Sequence, residues 1–252
     1  MRLQFIIYLT YRNNCKEGIG MKKTIGIIGG MGPLATIDLY RKIIEVTPAH
    51  SDNDHIHVVI DSNTLIPDRT AYILGEGKDP AVEIIRSAIS LENMGADFLI
   101  MACNTAHFYY DRITPFVKIP ILNMIEETTK EINNMEIKNV GLLATDGVLT
   151  SKVYECKLKE HKINVIKPSE EGQKVVMDLI YKGIKASNYS LDISKFQRVI
   201  EKLYEAGAET LILGCTELPI AFERFKLKGN TIDPTKILAR SAVKFALGKD
   251  IK

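Results

Sequence analysis

The chain has 252 residues, 46% hydrophobic and 25% charged, enough for one large domain or two of about 100–150 residues with a proper core. Its net charge of +2, with acids and bases mixed along the chain, leaves no footprint for nucleic acid or an anionic membrane surface. No apolar run reaches the roughly 20 residues needed to cross a bilayer, and Cys15, Cys103, Cys156 and Cys215 lack tight spacing, so reduced thiols in a cytoplasmic protein are expected.

Residues 1–20 have no small-residue cleavage site and make a poor secretory signal. Met21 opens MKKTIGIIGG, a natural start followed at once by a strand, and Lys16-Glu17-Gly18 can be encoded by a purine-rich ribosome-binding sequence. The expectation is that residues 1–20 are a translated leader and that Cys15 has no role. Other codons at 16–18 in the gene would reject it.

TIGIIGG (24–30) predicts a buried parallel strand closed by glycines. Pro33 suits the first turn of the helix that follows, because its missing N–H would have had no partner there. HIHVVIDSN (55–63) predicts the second strand, and NTLIPDRTAYILGEG a loop too long to be mere connection. Asp79-Pro80 opens a helix through Met94, Gly95 stops it, and FLIMAC is the third strand. A helix from Asn104 to near Pro115, the strand IPIL (119–122) and the helix NMIEETTKEI complete the first half.

The pattern then restarts. NVGLLATDGVLT (139–150) resembles TIGIIGGMGPLA (24–35), pairing Gly26 with Gly141 and Gly32 with Gly147 at an offset of 115. A helix with Tyr154, the strand INVIKP, a helix around Val175–Ile184 and one through Phe196–Glu205 follow. LILGC, a helix from Glu217 and TIDPTKILARSAVKFAL then echo the end of the first half. GADFLIMACNT (95–105) and GAETLILGCTE (207–217) align without a gap, and 215 − 103 = 112 separates their cysteines. A three-residue indel reconciles the two offsets. Two signatures in matching order indicate internal duplication, and alternating strands and helices mean α/β with parallel sheets. Two similar domains are expected, 21–117 plus 229–252 and 118–228, with the terminal helix packed back on the first. Ligands of such sheets sit outside the carboxyl ends of the strands, which would bring Cys103 and Cys215 to one interdomain cleft.

Both cysteines end a strand where a helix begins, and free N–H groups at a helix start lower a thiol's pKa from about 8.5. Cys156, on a predicted helix face, reads as a small buried hydrophobe. A single nucleophile would need one cysteine and a base. A disulfide switch would take the ligand's room. A metal would find Cys103, His107 and Cys215 but no fourth ligand of clear origin. Two opposed acid/base thiols suit a stereocentre that loses a proton to one face and regains it from the other.

A dinucleotide site is a rival reading. Gly30, Gly32 and Ala35 fit the fingerprint, and Asp61 ends the next strand as a ribose-binding acid would. Against a nicotinamide dehydrogenase, Pro33 deletes an N–H beside the expected pyrophosphate, the second half repeats the loop as ATDG, and hydride transfer needs no paired thiols. A non-catalytic amino-acid-binding protein would not need both thiols either.

GGMGPLAT (29–36), NTLIPDR (63–69), MACNTAH (101–107), GIKAS (183–187) and LGCTELP (213–219) resemble the cofactor-independent aspartate/glutamate racemase family over essentially all of the chain from Met21. The resemblance implies two pseudo-symmetric Rossmann-like (flavodoxin-like) α/β/α domains, a homodimer, no pyridoxal phosphate, no metal, and interconversion of L- and D-aspartate. Glutamate or broader specificity is the alternative within the family. The family's catalytic cysteines fall on Cys103 and Cys215. Its substrate-gripping arginine falls on Arg69, whose guanidinium can take a carboxylate bidentately, and its lysine on Lys185, with Lys182 the nearby rival. Asn104, Thr105 and adjoining N–H groups can hold the α-carboxylate as charge grows on it. Met31 and Thr36 are expected to line the first glycine loop. Thr216 follows the second cysteine, Glu217 either touches the substrate ammonium or opens a helix, and His107 is a helix residue near the cleft.

Overall fold

The computed structural model describes residues 22–248. The expected leader, the proposed start at Met21 and Cys15 lie outside the described residues.

Four parallel strands form the first sheet: β1 (Ile25–Ile28), β2 (Val58–Asp61), β3 (Phe98–Met101) and β4 (Ile121–Leu122), in the order β2-β1-β3-β4. The second has β5 (Asn139–Ala144), β6 (Asn164–Ile166), β7 (Thr210–Gly214) and β8 (Thr231–Ile232), in the order β6-β5-β7-β8. The repeated order is the duplication in three dimensions. β1, β3 and β7 are buried along their whole length, as expected of central strands covered on both faces, whereas the edge strands β2 and β6 are not. Burying each large aliphatic side chain there contributes about 1.5–3 kcal/mol.

Close approach between neighbouring strands fixes one glycine in each sheet. A Cβ on Gly26 would stand 2.5 Å from Leu99 Cδ2, and one on Gly141 would stand 2.5 Å from Leu211 Cδ2. A side chain at either position would have to displace the leucine packed against it, Leu99 or Leu211.

The last helix of each half crosses to the other sheet. Helix Met124–Asn134, capped by Asn123, brings Ile125 and Ile132 into the core of Val140, Leu142 and Ile212. Helix Pro234–Leu247, capped by Asp233, packs Leu238, Ala242 and Val243 on Ile25, Ile27 and Phe98. The terminal helix thus packs on the first sheet. β4 pairs with β3 beyond residue 117, and β8 pairs with β7 beyond residue 228. Main-chain pairing keeps these two short strands with their own sheets, and the chain crosses over at the caps. Buried Lys42 secures one crossover, with Nζ 2.6 Å from Asp38 Oδ2 and 2.7 Å from Asp233 Oδ2.

Other local expectations need correction. The stretch expected as a loop after β2 contains a helix, Arg69–Ile73, because Asp68 caps it by accepting from Ala71 N at 2.8 Å. After Cys103 the chain runs as a 3-10 turn, Thr105–Tyr109, before one α-turn, Tyr110–Ile113. The helix expected around Val175–Ile184 is an α-helix, Glu170–Asp178, that widens into a π-helix, Leu179–Lys185. Cys156 is exposed, not buried: its helix, Val153–Glu160, turns Tyr154 and Leu158 inward and leaves Cys156 facing solvent.

Candidate active site

β1 and β3 are adjacent at the point where the strand order reverses, and so are β5 and β7. Loops leaving their carboxyl ends diverge there and leave a crevice. Cys103 leaves β3 and Cys215 leaves β7, and both thiols line one cavity between the sheets together with Met31, Arg69, Thr105, Lys185 and Glu217. The space left between these side chains is tight, about 10 Å³, roughly what one water-sized sphere fills.

Arg69 enters from the first turn of its helix and is buried. Its Nη1 donates to the carbonyls of Ile66 (3.3 Å) and Pro67 (3.0 Å), and Nη2 donates to the Met31 carbonyl at 2.9 Å. Nε–H has no protein partner, so the edge shared by Nε and Nη2 keeps donor capacity for a carboxylate. Burial opposes the charge, but Cys103 and Asp68 beside it outweigh burial and raise its pKa. Lys185, at the end of the π-helix, sits with Nζ 4.0 Å from Glu217 Oε1 and 4.6 Å from the Tyr181 ring centroid. Burial again opposes the charge, and Glu217 with Cys215 more than offsets it. The cavity thus holds two cations, one from each half. Lys182, the rival, pairs on the surface with Asp178.

Asn104 and Thr216 are buried behind the cavity wall. Asn104 Oδ1 accepts from Tyr154 at 2.6 Å, and its Nδ2 has no partner. Thr216 Oγ1 donates to Glu217 Oε2 at 3.2 Å. Thr105 Oγ1 reaches Thr145 Oγ1 at 3.0 Å, across the cleft. Thr36 does not line the cavity: its hydroxyl accepts from Gly30 N and donates to Gly32 O, both at 2.9 Å, clasping the glycine loop. One loop N–H that a dinucleotide phosphate would use is therefore spent.

His107 supports the backbone rather than the chemistry. Met124 N–H donates to its Nε2 at 3.0 Å, so the ring proton sits on Nδ1 and goes to the Cys103 carbonyl at 2.9 Å. Burial pushes its pKa down to about 4 and keeps it neutral. With both ring nitrogens engaged, it is no metal ligand in this arrangement.

Four wall residues were not singled out from sequence: Asp68, Thr70, Thr145 and Tyr181. Signals existed. Asp68 and Thr70 flank Arg69, Thr145 is the repeat partner of Gly30 (30 + 115 = 145), and Tyr181 precedes Lys185 by one helical turn. Tyr181 OH donates to Asp68 Oδ2 at 3.1 Å, a second contact across the cleft.

Residues 28–242 match the family model described as Asp/Glu/Hydantoin racemase. The chain is 31% identical over 225 residues to the broad specificity amino-acid racemase RacX of Bacillus subtilis (strain 168), covering 87% of this chain and 96% of that one. It superposes on the Picrophilus torridus aspartate racemase with a TM-score of 0.80 at 33% identity, covering 91% and 96% of the two chains. An aspartate racemase homologue from Pyrococcus horikoshii OT3 superposes with a TM-score of 0.72 at 29% identity, covering 89% and 99%. The chain belongs to the Asp/Glu/hydantoin racemase family and is an amino-acid racemase.

Proposed function

We propose that this racemase interconverts L- and D-aspartate without a cofactor, using Cys103 and Cys215 as opposed acid and base. One observation carries the proposal: both thiols, buried to the same extent, reach one small cavity from equivalent strand ends and share it with Arg69 and Lys185. A dicarboxylate gives each cation a partner. One sulfur, as thiolate, takes the α-proton, and the other, as thiol, returns a proton to the opposite face. Carbanionic charge flows into the α-carboxylate, where the free Nε–H edge of Arg69 strengthens its hold as it grows. A homodimer in the cytoplasm belongs to the same reading, and light scattering after gel filtration checks the dimer.

Similarity to RacX over nearly its whole length favours one second reading, broad specificity. A single methylene is worth only about 1–3 kcal/mol of discrimination, so glutamate is the decisive competitor. Incubation of each enantiomer of aspartate, glutamate and a panel of neutral amino acids in deuterated water tests the proposal. The expected outcome is racemisation of aspartate with deuterium at the α-carbon and at least a tenfold lower kcat/KM for glutamate. Equal turnover of neutral amino acids would replace aspartate with the broad reading, and no exchange with any of them would reject the two-thiol scheme.

A further inference from the structure

Equivalent in the repeat, the two thiols have opposite electrostatic neighbours. Cys215 Sγ stands 2.9 Å from Glu217 Oε2, which also accepts from Thr216 Oγ1. An ionised carboxylate only accepts, so the proton in the Cys215–Glu217 contact is on sulfur. A thiolate and a carboxylate at that separation inside a buried site would repel strongly. Two positive features face the Glu217 carboxylate: Lys185 Nζ lies 4.0 Å from its other oxygen, and Glu217 opens helix Glu217–Phe225, whose N-terminus favours negative charge. Burial, then Glu217, push the Cys215 thiol well above its ordinary range, with Lys185 pulling the other way.

Cys103 has no carboxylate in that position. Two residues after it comes Thr105, which turns away to Thr145. The remaining charged or titratable groups of the wall are accounted for. Asp68 is held by Ala71 N and Tyr181 OH, Lys185 faces Glu217, and Arg69 lies beside Cys103. His107 donates to the Cys103 carbonyl, accepts from Met124 N and is neutral.

We infer that Glu217 is a positioning residue that holds Cys215 as the protonated thiol in the resting enzyme, so that Cys103, beside Arg69, is the sulfur that takes the first proton. This rests on the two-thiol reading. In a turnover from that state, a lone pair on Cys103 Sγ takes the α-proton and the C–H pair stays on carbon as the carbanion. Cys215 then gives its proton to the opposite face, and the S–H pair stays on sulfur. The product state has Cys103 protonated and Cys215 as a thiolate facing Glu217. A proton must pass from Cys103 to Cys215 before the next turnover in the same direction, and the reverse reaction starts from the disfavoured state.

Alkylation reads the resting state directly: a thiolate displaces iodide from iodoacetamide, whereas a thiol reacts far more slowly. The two cysteine residues are buried alike, at 5% and 6% exposure, and exposed Cys156 is an internal reference. In wild-type enzyme at pH 7, peptide mapping is expected to show Cys103 labelled at least tenfold faster than Cys215, with Cys215 labelling rising only at higher pH. Glu217→Gln, which can donate to a Cys215 thiolate, should speed Cys215 labelling at least fivefold with Cys156 unchanged, and Glu217→Asp should restore part of the asymmetry. Equal labelling in the wild type, or faster labelling of Cys215, overturns the inference even if Glu217→Gln does not fold. The labelling ratio involves no substrate, so a wrong substrate assignment leaves it intact. Equal labelling alongside normal racemisation would remove only the role of Glu217.

Discussion

Cys103 and Cys215 leave equivalent central strands, β3 and β7, and the glycines that let those strands pack, Gly26 and Gly141, meet equivalent leucines. Two residues beyond each cysteine the halves part. Thr105 reaches across the cleft to Thr145, while Glu217 turns back on its own cysteine. The cations differ in origin as well. Arg69 comes from a helix inside a loop after β2, and Lys185 from a π-helix. Under the proposed two-thiol reading, backbone symmetry serves a reaction that treats two faces of one carbon alike, and the departures from it sort the substrate's unlike groups and the enzyme's own proton.

The largest test of that symmetry is removal of either sulfur. Cys103→Ser and Cys215→Ser should each lower kcat for racemisation by at least about 10³-fold, within the usual range for a lost acid or base. A polarimetric assay that finds either variant near wild-type rate would make the scheme one-sided.

Arg69→Ala should come next, with kcat/KM for aspartate falling by about 10²-fold, the cost of losing a charge-assisted pair. It also strips the Ile66, Pro67 and Met31 carbonyls of their donor, so a lower melting temperature should accompany the kinetic loss. Unchanged steady-state kinetics would take Arg69 out of the site.

A smaller effect is expected where the halves touch. A Cβ on Gly147 would lie 2.8 Å from Thr70 Oγ1 and 2.9 Å from Thr70 Cα, so Gly147→Ala must push the two walls apart. KM should rise about tenfold because catalysis is sensitive to small displacements of the reacting groups. Circular dichroism should stay unchanged, and a normal KM would mean that the contact does not set the cavity.

The last effect is on stability rather than rate, and it separates His107 from the two cysteines. Its pKa falls from 6.5 to about 4 on folding, so the unfolded chain takes up the proton first. The stabilisation is fully present above pH 6.5 and is lost as pH falls toward 4, by about 3 kcal/mol in all. Urea denaturation at pH 7 and pH 4.5 should show most of that loss, and His107→Gln should remove it. An equally steep loss in the variant would assign it to other groups.

Much of the site was legible because strand ends are local features. The alternation of apolar runs and helical stretches located β1, β3, β5 and β7. Equal spacing of two motifs then put Cys103 and Cys215 at matching ends, and the structure brings them together. Cys156 was misread because one turn of rotation on a short helix decides between core and solvent, and that rotation is set by Tyr154 and Leu158. Glu217 was recognised as a site residue, but its attachment to Cys215 depends on a side-chain direction that no residue pattern encodes.

The sequence by itself determined the duplication, the parallel sheets and the pair of thiols, since each follows from periodicity and spacing within a few residues of chain. Only the tertiary structure decided which helix covers which sheet, how Tyr154 reaches Asn104 and Tyr181 reaches Asp68, and which charge stands beside each sulfur. Those are contacts between distant segments, selected by packing and by the need to pair buried polar groups. Charge beside a thiol is what makes two like cysteines unlike, as the proposed acid and base require.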